Sequence, residues 1–136
     1  MIVRYLVSYI ATAVVFFGLD FIWLSSMTSR FYRARLGDLL LDRPRLGVAG
    51  VFYLVYVGGI VIFAVGPALN AGSWFTAMLL GAILGLIAYG TYDFTNLSTL
   101  RQWSAAVSVV DILWGICLTA ISATFGYWIV ERLIDN

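Results

Sequence analysis

The chain has 136 residues, 62% of them hydrophobic and 11% charged, and a net charge of +1. That balance excludes a water-soluble globular domain, whose helices need polar faces, and it gives nucleic acid or any other polyanion no footing. Histidine and lysine are absent and cysteine occurs once, at Cys117. These absences remove the commonest metal ligand, any internal disulfide and the usual bases for a serine nucleophile. No metal or cofactor is expected, and Cys117 is expected to pack as a small residue on a buried helix face.

Four apolar stretches follow one another, over residues 5–27, 48–69, 74–94 and 105–130. Each is close to the ~20 residues that a membrane-spanning helix needs. The fold expected is an all-α, four-helix transmembrane bundle forming a single domain over 1–136. The first stretch begins after Arg4 and carries Ala11-Thr12-Ala13, as a signal peptide would. Its hydrophobicity continues past that point, so it reads as a retained anchor.

Residues 28–47 form a long charged connection. A 3.6-residue period over Phe31–Leu41 puts Tyr32, Leu36, Leu39 and Leu40 on one side, with Arg33, Gly37 and Asp38 opposite and Arg35 at the flank. This predicts a short interfacial amphipathic helix over about 30–41. Arg33, Arg35, Arg43 and Arg45 are the candidates for anionic lipid headgroups. The second connection, Pro67–Ser73, reads as a tight turn between antiparallel helices. The third, Thr95–Ser104, is also short.

Six of the eight arginines fall in the first and third connections. The positive-inside rule then places those connections in the cytoplasm and both termini outside. Trp74 and Trp128 are expected at the outer interface, Trp103 and Tyr32 at the inner one.

Within this greasy frame lie three aspartates, Asp20, Asp93 and Asp111. A carboxylate at membrane depth costs roughly 2.5–3.5 kcal/mol on insertion scales, so its presence asks for a reason. Asp20 and Asp111 each open an Asp-x-x-Trp signature ending in Trp23 and Trp114. At ~1.5 Å rise per residue both lie roughly 10 Å below the inner interface, and Asp93 is expected nearer the surface. Tyr89, Tyr92 and Asn96 add polar groups to the same layer. Asp-Phe-x-x-Leu-Ser, found at Asp20 and again at Asp93, hints at a duplicated helical hairpin.

The third segment carries a narrow strip of Gly81, Gly85, Tyr89 and Asp93. The fourth carries a small and polar stripe through Ser104, Ser108, Asp111, Gly115, Thr119, Ser122 and Gly126. Gly81, Gly85 and Gly115 allow close helix approach, and the two stripes are expected to face each other in the interior.

Leu19-Asp20-x-x-Trp23-Leu24, Tyr89-Gly-Thr-Tyr92-Asp93-x-Thr95-Asn96-Leu97, Trp103 and Val110-Asp111-x-x-Trp114-Gly115 together resemble a bacterial membrane-protein family catalogued as domain of unknown function 2177. The resemblance spans nearly the whole chain. It implies a small multi-pass inner-membrane protein with four helices, and no set reaction, substrate or cofactor. Where the family pattern has proline after the tryptophan of the third loop, this chain has Ser104, which leaves the capping of the fourth helix open.

Three functions stay in view. The leading one is a carboxylate-lined site near the cytoplasmic leaflet that binds or passes a proton, a small polar or cationic ligand, or a lipid headgroup. Asp20, Trp23, Tyr89, Tyr92, Asp93, Asn96, Asp111 and Trp114 would form it, and a homodimer is expected if anything is transported. The second is a non-catalytic accessory subunit of a larger membrane complex, docked through Gly81 and Gly85. The third is a lipid-modifying enzyme with Asp93 and Asp111 as its acid and base. No catalytic motif accompanies them, so the reading leans away from an enzyme.

Overall fold

Large apolar side chains ring every long segment, so each can satisfy its backbone only by closing its own hydrogen bonds as a helix. The computed structural model describes residues 2–135. Among them, four helices are long and apolar enough to cross a membrane: α1 Ile2–Leu39, α2 Leu46–Ala71, α3 Trp74–Thr99 and α4 Ala105–Leu133. The chain is an all-α membrane bundle.

Burial runs opposite to that of a soluble protein. On α1, Ser8, Thr12, Phe16 and Asp20 point inward at four-residue spacing, while Leu6, Ile10, Val14 and Phe21 are exposed. On α4, Ser108, Thr119, Ser122 and Thr124 are buried and Val109, Leu113 and Phe125 face out. Without a hydrophobic drive between helices in lipid, small and polar residues gather where backbones must approach. Cys117 is exposed on α4, contrary to expectation: it belongs to the outward face, and the inward places around it go to Gly115, Leu118 and Thr119.

The tightest packing joins α3 to α4. A Cβ on Gly81 would sit 2.9 Å from the Thr119 carbonyl oxygen, and one on Gly85 would overlap the Gly115 carbonyl. Gly115 in turn lies under the Tyr89 ring, and Gly126 under Thr12 of α1. The helix α4 therefore touches α3 along one side and α1 along another. Helix α2 fills the remaining face through Val57, Ile60, Ala64 and Val65, which pack with Phe16, Leu118 and Ala123.

Both termini share one end of the bundle with the α2–α3 turn. Arg4 pairs with Asp135 at 2.9 Å and donates to the Leu69 carbonyl. Trp74 and Trp128 meet at that end, ring centres 6.0 Å apart. The arginine-rich connections lie at the opposite end.

Two connections differ from expectation. The segment around residues 30–41 is not a separate helix, because α1 continues into it through a π-helical turn at Thr28–Tyr32. It stops at Gly37, whose φ of 54° only glycine takes without strain, followed by one 3₁₀ turn. A straight 38-residue helix would measure ~57 Å, well beyond a ~30 Å hydrocarbon core. Tyr32 and Leu36 are instead buried against Val107, with Trp23 and Trp103 beside them. The apolar stripe covers the mouth of the bundle, not lipid alone.

The second difference is at Pro67, where helix α2 continues to Ala71 and leaves Gly72 (φ 65°) and Ser73 as the whole turn. A π turn at Val61–Val65 sends the Gly66 N–H to the Val61 carbonyl, and that widened turn accommodates the proline. Ser73 caps α3 through Thr76 N, and Ser104 caps α4 through Val107 N, each at 3.3 Å. A serine thus does the starting work at the fourth helix. The two halves of the suggested duplication differ: α1 runs 38 residues and α3 only 26.

Candidate functional site

The two Asp-x-x-Trp signatures lie on antiparallel neighbours, α1 and α4, and serve each other. The indole of Trp114 donates to Asp20 Oδ1 at 3.2 Å. The indole of Trp23 donates to the Tyr32 hydroxyl at 3.1 Å, and Tyr32 donates to Asp111 Oδ1 at 2.8 Å. The two indoles stack face to face, centres 4.3 Å apart and planes within 5°. Each helix's tryptophan therefore holds the other helix's carboxylate, once directly and once through Tyr32.

Asp93 is fully buried, with 0% exposure, and its backbone lies level with Ser108 in the first turn of α4. The helix packing explains this: Asp93 continues the Gly81–Gly85 strip of α3 that presses on α4. Neither of its carboxyl oxygens meets an amide, hydroxyl or indole donor. What faces it is the Asp111 carboxyl. Its backbone carbonyl accepts from Ser108, whose hydroxyl accepts from the Trp103 indole. Asp20, in turn, has the Tyr53 hydroxyl beside it. Among the described residues no three of His, Cys, Asp and Glu cluster in a way that could hold a metal ion. The aspartates form a pair and a neighbour, not a three-carboxylate cluster.

Beside them lies a cavity of about 450 Å³, bounded by the end of α1, the first half of α2, the second half of α3 and Trp103. Five tyrosines line it (Tyr32, Tyr53, Tyr56, Tyr89 and Tyr92), and Asp111 is its one charged side chain. Tyr92 meets Trp103 edge to face at 5.7 Å, and Tyr56 is tied to Thr119 at 2.9 Å. The family model described as a predicted membrane protein, domain of unknown function 2177, matches residues 5–128. The chain belongs to that family. No curated protein and no solved structure matches the chain. For this family member, the cavity and its one carboxylate are the functional evidence.

Of the eight ligand-site candidates from sequence, Tyr89, Tyr92 and Asp111 line the cavity. Asp20, Trp23 and Trp114 form the layer behind it, Asp93 backs onto Asp111, and Asn96 sits half-buried next to Tyr92. Tyr53, Tyr56 and Phe52 were missed. Tyr53-x-x-Tyr56 places two phenols on one face of an otherwise apolar span, and that spacing was the available signal. Arg33 is held by the Leu41 carbonyl at 3.3 Å and by Asp42 at 3.6 Å. Arg35 stacks over Phe31 at 5.0 Å, and Arg43 and Arg45 are exposed.

Proposed function

We propose that the cavity binds a small organic cation within the bundle, close to its basic end. The observation that carries this is the lining: aromatic faces on several sides, one carboxylate, and no basic side chain. Ring faces attract cations by about 0.5–1 kcal/mol each when exposed and about 2 or more when desolvated. The carboxylate supplies the countercharge in a low-dielectric site, where it acts more strongly than in water. An anion would meet the Asp111 carboxylate and no basic side chain among these residues.

The supporting framework is rigid. Asp111 is aimed by the Tyr32 hydroxyl, which the Trp23 indole fixes in turn. Asp93 does not line the cavity, which disfavours a role as the acid or base of an enzyme. Gly81 and Gly85 are engaged by α4, which disfavours their use as a docking strip for an accessory role.

Titrating the purified protein with choline, and with its neutral isostere 3,3-dimethylbutanol, tests the reading through tryptophan fluorescence. Choline should give a saturable change and the neutral compound none, with Asp111→Asn weakening choline at least tenfold. Equal responses to the two compounds would overturn it.

We further propose that the basic end faces the cytoplasm in a bacterial inner membrane, because the arginine excess at that end is what the positive-inside rule reads. Cysteine introduced at Arg43, in a chain carrying Cys117→Ala, should resist an impermeant maleimide in intact spheroplasts and react after lysis. Labelling before lysis would reverse the orientation.

A further inference from the structure

The cavity is not sealed from the bilayer. Three of its lining residues, Leu24 on α1, Phe52 on α2 and Tyr92 on α3, are also on the outer surface, exposed at 40%, 59% and 54%. The mouth therefore lies on the lipid side, beside the first half of α2. Above it runs the segment from Thr28 to Leu40, which lines the cavity through Thr28, Tyr32 and Leu40. That segment and its continuation carry the densest positive charge in the chain.

Most of this charge has no carboxylate partner. Among the described residues, Arg33 alone of the basic-end arginines has a carboxylate partner, Asp42. Arg30, Arg35, Arg43, Arg45 and Arg101 are exposed and have none. Arg35 follows the cavity residue Tyr32 by three positions, Arg43 follows Leu40 by three, and Arg101 precedes Trp103 by two. An anionic group at this end of the bundle would thus meet exposed arginines without carboxylate partners, next to a cavity whose only charged side chain is Asp111.

One class of molecule meets both demands. We infer that the ligand is a zwitterionic, ammonium-bearing phospholipid that enters laterally beside the first half of α2. This rests on the cation-binding reading of the cavity. The ammonium group enters among the tyrosines toward Asp111, and the phosphate stays at the rim, where guanidinium forks match its oxygens. The acyl chains remain outside along Leu24 and Phe52, in the bilayer. A free choline or ethanolamine would share the ammonium chemistry but leave the arginine rim unmatched.

Binding is measured with short-chain phosphatidylcholine and phosphatidylethanolamine, with phosphatidylglycerol of the same chain length, and with free choline, all on the intact protein in detergent. The ammonium-bearing lipids are expected to bind at least tenfold more tightly than either choline or phosphatidylglycerol. An Arg35→Gln/Arg43→Gln/Arg101→Gln variant should lose at least tenfold for those lipids, with its melting temperature as the check on folding. Should choline bind as tightly as the lipids, or should the triple variant keep full lipid affinity, the inference fails while the cation site stands. Phosphatidylglycerol binding as well as the ammonium-bearing lipids would also overturn it, assigning the rim to anionic lipid at large. If neither choline nor the ammonium-bearing lipids bind the wild type, both readings fall together.

Discussion

Gly85→Val is expected to leave little folded protein in a detergent extract. The first atom of any side chain at this position would overlap the Gly115 carbonyl, with Gly115 C at 2.9 Å and Ile116 Cα at 3.0 Å. These are backbone atoms, so no rotamer change on α4 can make room. Overpacking a well-packed core costs about 1–3 kcal/mol when side chains can yield. Here the α3–α4 pair itself must separate, and the cost should exceed that range. Gly18→Val is the control, since a Cβ there meets nothing within 4 Å. Thermal-shift gel filtration checks the contrast: Gly18→Val should keep the wild-type melting temperature, whereas Gly85→Val should lose the monodisperse peak. A normal peak for Gly85→Val would mean that α3 and α4 do not pack through this strip.

Asp93→Asn should make the protein more stable. The native carboxyl is fully buried and meets no protein donor, only the Asp111 carboxyl. Asparagine keeps the shape and brings an N–H to aim at Asp111. The amide needs no shared proton to donate to Asp111, and removing a carboxyl from membrane depth lowers the cost of its burial. The melting temperature should rise by several degrees. A fall comparable to that of Asp93→Ala would show instead that the native carboxyl is a structural fastener with a satisfied partner. Choline affinity of the same variant adds a second readout, because Asp93 faces Asp111, the charged residue of the cavity.

Such a result would also explain why the chain retains a costly residue. A buried acid that lowers stability is kept where it serves a site, since stability alone would replace it. The Asp20 arrangement is different: its carboxylate accepts from Trp114 and has Tyr53 beside it. It belongs to the scaffold that holds the tryptophan stack, and through the stack, Tyr32 and Asp111.

Much of this was legible in the sequence for one reason: lipid leaves the backbone a single option. Apolar runs of some 20 residues in a chain without compensating polar faces must be helices, so number and order of the spans followed from composition and breaks. The residues at the α3–α4 contact were legible too, because Gly81 and Gly85 share a face by the helical period, whatever they pack against. The aspartates announced themselves by their cost.

What remained hidden depended on contacts between segments distant along the chain. Asp-x-x-Trp repeated in α1 and α4 suggested a common layer, but each tryptophan pairs with the other helix's carboxylate, at a separation of 94 residues for Trp114 and Asp20. No local period encodes that exchange. Tyr32 looked like one apolar residue of a surface helix, and only the continuation of α1 over α4 turned it into the donor to Asp111. The distance of Asp93 from its helix end measures depth and says nothing of lateral burial, which the packing of α3 on α4 makes complete. Tyr53 and Tyr56 passed as aromatic residues in an apolar span until the bundle turned them toward one cavity. The sequence by itself determined the helices, their number and their small-residue seams, because backbone hydrogen bonding and the hydrocarbon thickness act locally. The cavity, its carboxylate and the sharing of partners were decided only by tertiary packing, which sets which faces of different helices meet.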